Sequence, residues 1–355
     1  MPRYTDAMTL PQTPSSRRQR RGAGGITLSD VARLAGVSPI TASRALNTPA
    51  QVAKETLERV REAVSRTGYV PNRLAGGLAS ARSRLVAAVV PTIAGPVFME
   101  MVESLTAALA EAGYQLMLGQ SGYAQSREDA LLDAIIGRRP DGIVLTGIMH
   151  SPEGRRRLLA SAIPVVETWD LTPTPIDMLV GFSHVQAGAA VAQHLHAKGR
   201  RRLALLSGDD ERAQRRNRGF IDEALRLGLA RSPADIPVLR VPAPTTLGSG
   251  RSGLVRLLAD TPDLDAVFCS SDLLALGVLT EAAARGLSVP GRLAVMGFGD
   301  LAFAGDTHPP LSTVRIDGTG IGQRAAGFIV DRAEGRAVGE KVIDLGFRII
   351  ERAST

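Results

Sequence analysis

The sequence predicts a small all-α front domain with a helix-turn-helix layout, joined to an α/β core of two lobes built on parallel sheets. Three observations carry this. The positive charge is confined to the front: the chain holds 42 Lys and Arg against 35 Asp and Glu, but residues 1–84 alone hold 14 against 5. Residues 26–70 contain three short helical patterns and no strand-like run. From Leu85 onward, short β-branched runs alternate with helical stretches, and their apolarity is continuous rather than alternating, as in parallel sheets covered on both faces.

Composition removes several classes. Cys269 is the only cysteine, which excludes a disulfide framework and a cysteine-built zinc site, fits a reducing compartment and leaves Cys269 as a small core residue. No stretch approaches the roughly 20 consecutive apolar residues of a membrane span, and the N-terminus lacks an apolar signal core, so a soluble cytoplasmic protein is expected. A basic segment on a near-neutral body suits an end that meets a polyanion, nucleic acid first; a solvated basic tail is the alternative that charge alone leaves open.

Residues 1–25 combine Pro, Ser, Gln and Gly with the run from Arg17 to Arg21 and read as a disordered basic tail. Within the front domain, residues 26–70, Thr27 can cap a first helix, with Asp30 completing a capping box and Gly36 ending it. Ser38 can cap a second helix, with Pro39 at its first position, running to about Leu46. A third runs from about Ala53 to Arg66 and stops at Gly68. Strands are expected at Leu85–Val90, Gln115–Leu118, Gly142–Thr146, Pro164–Glu167, Leu203–Ser207, Ile236–Val241, Ala266–Ser270, Leu293–Phe298 and Val342–Phe347. About 270 residues of this texture exceed one comfortable sheet, so two lobes with a cleft are expected, ligands sitting at the C-terminal ends of strands.

The run from Ile26 to Ser38, continued from Thr41 to Asn47, closely resembles the DNA-binding headpiece of the lactose-repressor (LacI/GalR) family. Further matches are Tyr69 to Arg73 with Leu78 and Ala79, Cys269 to Asp272, and Pro309 to Val314, in family order and spacing from about residue 26 to the end. The resemblance implies a periplasmic-binding-protein-like core of two Rossmann-like lobes over residues 85–355, which also dimerises, and a hinge at 71–84. It implies that the second helix enters a major groove of double-stranded operator DNA, presenting Pro39, Ile40, Thr41, Ser43 and Arg44, with Thr27, Ser38 and Asn47 beside them. Thr41 and Ser43 suit phosphate contacts, and Arg44 suits a bidentate contact to guanine. Pro39 and Ile40 offer no side-chain hydrogen bonds, so thymine-methyl contact and shape must contribute there. In the hinge, Asn72 and Arg73 precede Leu78, which falls at the family's minor-groove wedge position. Gly76 and Gly77 weaken that helix by about 1 kcal/mol each relative to Ala, so its folding should depend more on DNA.

The same resemblance implies an effector site. Phe98 falls where family members stack on ligand, and Arg216 falls where an arginine binds ligand hydroxyls or carboxylate. Asp272 and Asp300 follow predicted strand ends, although Gly299 intervenes where relatives often place the acid directly. Arg212, Arg215 and Arg216 cluster beyond a strand end, and guanidinium forks match carboxylates, which a neutral sugar does not require; a solvated basic face is the alternative. Leu145 and Thr146 leading to His150, with Pro164 to Glu167 and Asp170, look like the gluconate-repressor branch, where His150 and Glu167 would hold polyol hydroxyls. A sugar acid such as gluconate or a keto-gluconate is therefore the expected effector, with a neutral sugar or a corepressor as alternatives.

Other signals are discounted. The G-x-G-x-x-G run from Gly248 to Gly253 is separated from its preceding strand by Pro242 and Pro244, whereas a dinucleotide site needs its first Gly at the strand end, so an NAD-dependent enzyme is a remote alternative and no cofactor is expected. His194 and His196 lie two apart on different helix faces and form no paired metal site. No nucleophile, base and orienting acid fall into a recognisable catalytic arrangement. Tetramer-forming members of the family that the sequence resembles add a leucine-rich helix after the last strand; none is read here, so the resemblance implies a homodimer on a near-palindromic operator rather than a tetramer.

Overall fold

A computed structural model describes residues 25–70, 82–122, 125–148 and 150–355. The chain divides into two compact units, residues 1–81 and 82–355. The hinge residues Asn72, Arg73 and Leu78, and nearly all of the basic tail, lie outside the described residues.

The first unit contains helices α1 (Leu28–Leu34), α2 (Pro39–Asn47) and α3 (Lys54–Thr67). Thr27 and Asp30 form the reciprocal capping box, and the Ser38 hydroxyl accepts from the Thr41 amide at 3.1 Å with Pro39 inside the first turn. Gly68 ends α3 at φ +65°, a left-handed conformation that glycine adopts without steric cost. Val31, Ala35, Ala45, Val60 and Ala63 close the small core.

The second unit has two six-stranded sheets. In chain order it runs β1 (Leu85–Val90), α4 (Met99–Glu111), β2 (Gln115–Gln120), α5 (Gln125–Ile136), β3 (Gly142–Thr146), α6 (Pro152–Ser161), β4 (Val165–Thr168) and β5 (Met178–Gly181). It continues with α7 (His184–Ala197), β6 (Leu203–Gly208), α8 (Glu211–Arg226), β7 (Val238–Val241), α9 (Leu247–Asp260), β8 (Ala266–Cys269), α10 (Asp272–Ala284), β9 (Ala294–Phe298) and β10 (Ser312–Arg315). Last come α11 (Gly318–Ala333), β11 (Val342–Asp344) and β12 (Arg348–Ile350). The sheet orders are β11-β5-β4-β3-β1-β2 and β12-β10-β9-β8-β6-β7, parallel throughout except for the antiparallel pair β10 and β12. The chain passes between lobes three times: after β5, between β10 and α11, and between β11 and β12.

Two sequence expectations change. The run Val342–Phe347 is not one strand: Gly346, at φ +65°, turns the chain so that β11 joins the first sheet and β12 the second. Strands β5 and β10 carry weak local signals. β10 begins with Ser312 and Thr313, fully buried because their hydroxyls find distant partners in Arg352 and Asp272.

The glycines of the 248–253 run lie inside α9, where Gly250 and Gly253 serve packing. A Cβ at Gly250 would stand 2.2 Å from the Leu274 carbonyl oxygen on α10. Helices α7 and α8 approach as closely. A Cβ at Gly188 would stand 1.9 Å from the Arg216 carbonyl oxygen, and one at Gly219 1.9 Å from that of Val185. Gly188→Ala is therefore expected to lower stability by about 1–3 kcal/mol, read as a lower urea midpoint at unchanged slope. An unchanged midpoint would mean the helices can part freely.

Candidate functional site

On the first unit, α2 and its cap present an exposed surface. Ile40 is 67% exposed, an unusual placement for a large aliphatic residue, and Pro39 beside it is also exposed. Ser38 and Thr41 share a hydroxyl contact at 2.9 Å, and Asn47 Nδ2 donates to Ser43 Oγ at 3.3 Å. Arg44 is exposed and pairs with no carboxylate among the described residues, whereas Arg33 on α1 pairs with Asp30. Thr27 sits apart at the cap of α1. One helix face thus offers an apolar edge, small hydroxyls and a free guanidinium, the combination that base edges and phosphates accept.

On the second unit, a cleft opens between the lobes at the C-terminal ends of the strands, about 720 Å³ including its open mouth. Its apolar wall is a chain of aromatic rings. Phe98 lies edge-on to Trp169 at 5.0 Å, Trp169 to Phe182 at 5.9 Å, and Phe182 to His184 at 4.6 Å. Trp169 takes φ +67°, and its Nε1–H donates to the Met101 sulfur at 3.1 Å. Against the His184 end of this wall stands Arg216 of α8, which is 5% exposed. Its Nη2 donates to the Ser270 carbonyl at 3.0 Å, its Nη1 lies 3.0 Å from His184 Nδ1, and its guanidinium covers the Phe298 ring at 3.9 Å. Burial lowers its pKa to about 10. Among the described residues no carboxylate forms an ion pair with it, which makes it an attractive seat for an anionic ligand group.

Arg212, one turn earlier, donates from Nη1 to the Thr146 carbonyl of the other lobe at 3.3 Å and lies over Phe98 at 5.2 Å. It separates this cleft from a more polar compartment lined by Glu128, Thr146, His150, Asp209 and Asp210. There His150 Nδ1 is 2.5 Å from Glu128 Oε1, and its Nε2 is 3.3 Å from Glu167 Oε1. Burial opposes the imidazolium, but the two carboxylates outweigh it and raise the His150 pKa to about 9.

That ion triad has a consequence for stability. Because the folded pKa is raised, its contribution is complete below the ordinary histidine value of 6.5 and is lost as pH rises through about 9. Stability is expected to fall by of order 1–3 kcal/mol more in the wild type than in His150→Gln across that window, measured by urea unfolding. Parallel curves for the two proteins would show that the triad contributes nothing.

Of the effector residues expected from sequence, Phe98, Arg212 and Arg216 line the main cleft, and His150 lines the adjoining compartment. Glu167 is fully buried behind His150, and its Oε2 accepts from the Ile176 amide at 2.6 Å. Asp170 pairs across the lobes with Arg215 at 3.2 Å, which removes both from the cleft lining. Asp272 is also committed elsewhere: it accepts from Thr313 Oγ1 at 2.6 Å and from the Leu301 amide at 2.7 Å, and burial raises its pKa to about 6. Asp300 turns toward Arg352 at 2.8 Å and Arg315 at 3.7 Å. Trp169, His184, Asp210, Ser271 and Phe298 line the cleft without having been singled out from sequence as ligand contacts. Their signal was positional, since each lies at or just beyond the end of a strand.

Comparison with known proteins agrees with both units. Residues 27–72 match the model of bacterial regulatory proteins of the lacI family, and residues 192–355 match that of the periplasmic binding protein-like domain. The chain is 40% identical over 341 residues to the HTH-type transcriptional regulator GntR of Pseudomonas aeruginosa, covering 95% of this chain and 98% of that one. It is 31% identical to GntR of Escherichia coli, covering 91% and 96%. Among solved structures, a LacI-family transcriptional regulator from Silicibacter pomeroyi superposes with a TM-score of 0.87 at 32% identity, over 93% of this chain and 99% of that one. Among the described residues no helix is long and apolar enough to cross a membrane. The chain belongs to the LacI family of bacterial regulatory proteins, and it is a DNA-binding transcriptional regulator rather than an enzyme.

Proposed function

We propose that this regulator is a dimeric repressor that holds a near-palindromic operator through α2 and is released by a sugar acid, of the gluconate or keto-gluconate class, bound between its lobes. The observation that carries the effector reading is Arg216: a cation that is 5% exposed, oriented by two hydrogen bonds and a ring, and paired with no carboxylate among the described residues. A sugar carboxylate satisfies that charge; a neutral sugar leaves it uncompensated in a low-dielectric wall. The aromatic chain supplies a surface for the C–H face of a sugar skeleton, while Asp210, Thr245 and Ser271 supply hydroxyl partners. Resemblance to the gluconate-repressor branch points the same way.

The three crossovers allow the lobes to rotate, and the cross-lobe contacts of Arg212 with Thr146 and Arg215 with Asp170 form only in particular lobe arrangements. An inducer acts by binding the arrangement that cannot hold DNA more tightly than the one that can, since equal affinity for both shifts nothing. Calorimetric titration of the purified protein with D-gluconate, 2-keto-D-gluconate and 5-keto-D-gluconate tests the reading, with D-glucitol as the neutral comparator. Heat from an acid and none from glucitol at equal concentration is expected. Silence with every sugar acid would reject the effector class.

A further inference from the structure

We propose that His184 is the residue that makes the cleft select an acid: it holds Arg216 in place as an uncharged acceptor, so the counter-charge must come from the ligand. The inference rests on the sugar-acid reading above and specifies how that site discriminates.

Among the described residues, every close neighbour of the Arg216 guanidinium is uncharged. Nη1 faces His184 Nδ1 at 3.0 Å, Nη2 donates to a backbone carbonyl at 3.0 Å, and the flat face rests on Phe298. Its Nε has no hydrogen-bond partner among the described residues. The carboxylates that act on it from further away are engaged elsewhere. Asp210 Oδ1 accepts from the Ala213 amide at 3.0 Å as the cap of α8. Asp170 accepts from the Leu171 amide at 2.8 Å and pairs with Arg215 at 3.2 Å. Arg212 adds like charge to the same wall.

His184 cannot yield its position. It is 1% exposed, its ring stands edge-on to Phe182 at 4.6 Å, and Phe298 lies 6.1 Å away, 6.2 Å from Phe182 in the same cluster of rings. With Nδ1 opposite a guanidinium N–H, that nitrogen must be the acceptor, so the ring is uncharged. Burial and then the neighbouring Arg216 push its pKa well below the ordinary range, in agreement with that geometry. The wall therefore has rigidity without neutrality. An aspartate at 184 would meet the same Nη1 with a full negative charge, close an internal ion pair and leave a ligand carboxylate facing a neutral surface.

The test compares D-gluconate with D-glucitol, which share the hydroxylated skeleton and differ in carboxylate against alcohol, by calorimetry on the full-length chain. Wild type is expected to prefer gluconate by about 100-fold, the ratio expected of a desolvated charge-assisted pair. His184→Asp is expected to cut that preference to below about 10-fold through loss of gluconate affinity, while His184→Asn, an uncharged acceptor, stays within about 3-fold of wild type. A His184→Asp protein that keeps the wild-type preference, or a His184→Asn protein that loses it equally, overturns the role of His184 and leaves the effector class standing. Should His184→Asp fail to fold, persistence of the preference in His184→Asn supports the proposal and its loss overturns it. A wild type that binds no sugar acid overturns the effector reading, and this inference with it.

Discussion

Replacing Arg216 by Met is expected to weaken D-gluconate binding by about 100-fold or more while leaving ligand-free operator affinity within about 3-fold of wild type. Arg216 is buried beside uncharged partners, and Asp210 and Asp170 act on it only from beyond ion-pair distance, so its charge is a folding cost that a ligand carboxylate would offset. Methionine retains much of the volume against Phe298 and removes that cost, so the urea midpoint should hold or rise. The combination is diagnostic. A purely structural arginine would lose stability and operator binding together, whereas an arginine kept for ligand loses ligand binding alone. Equal gluconate affinity in both proteins would remove Arg216 from the site. With gluconate binding lost, the Arg216→Met repressor should stay on its operator at gluconate concentrations that release the wild type.

The second large effect lies on α2. Arg44→Ala is expected to cost about 1–3 kcal/mol of operator affinity and to relax selectivity at one base pair, because an exposed guanidinium that pairs with no carboxylate among the described residues is available for a bidentate guanine contact. Thr41→Ala should weaken all sequences alike, since a small hydroxyl reaches phosphate rather than a base edge. Competition binding against a panel of single-base operator variants separates the two outcomes. Uniform weakening by Arg44→Ala across the panel would reassign it to a phosphate contact.

Local rules in the sequence were enough for the front unit. The Thr27 and Asp30 box, the Ser38 cap with Pro39 behind it and the glycine after α3 each satisfy the backbone within four residues, so they are readable without tertiary knowledge. Strands β1 and β3 were legible end to end because their apolar runs are continuous. β10 was not, because Ser312 and Thr313 read as surface until Arg352, Ser354 and Asp272 arrive from elsewhere to satisfy them. The strand-end rule points to the region where the cleft lies. It could not say which way an acid points: Asp272 turns inward to Thr313 and Asp300 turns toward Arg352, partners more than 40 residues away. Nor could spacing show that Arg215 would be taken by Asp170 while Arg216, its neighbour in sequence, pairs with no carboxylate among the described residues.

The most direct measurement is operator release. A genomic fragment selected by the purified dimer, labelled and held at fixed salt, is titrated with D-gluconate in the presence of bulk competitor DNA, with anisotropy as the readout. The expected result is tight, selective binding without ligand, displacement by the sugar acid, and no displacement by glucitol or in Arg216→Met. Binding that never exceeds that to competitor, or selective binding that no sugar acid alters, would contradict the coupling of the interlobe cleft to the DNA-reading helix.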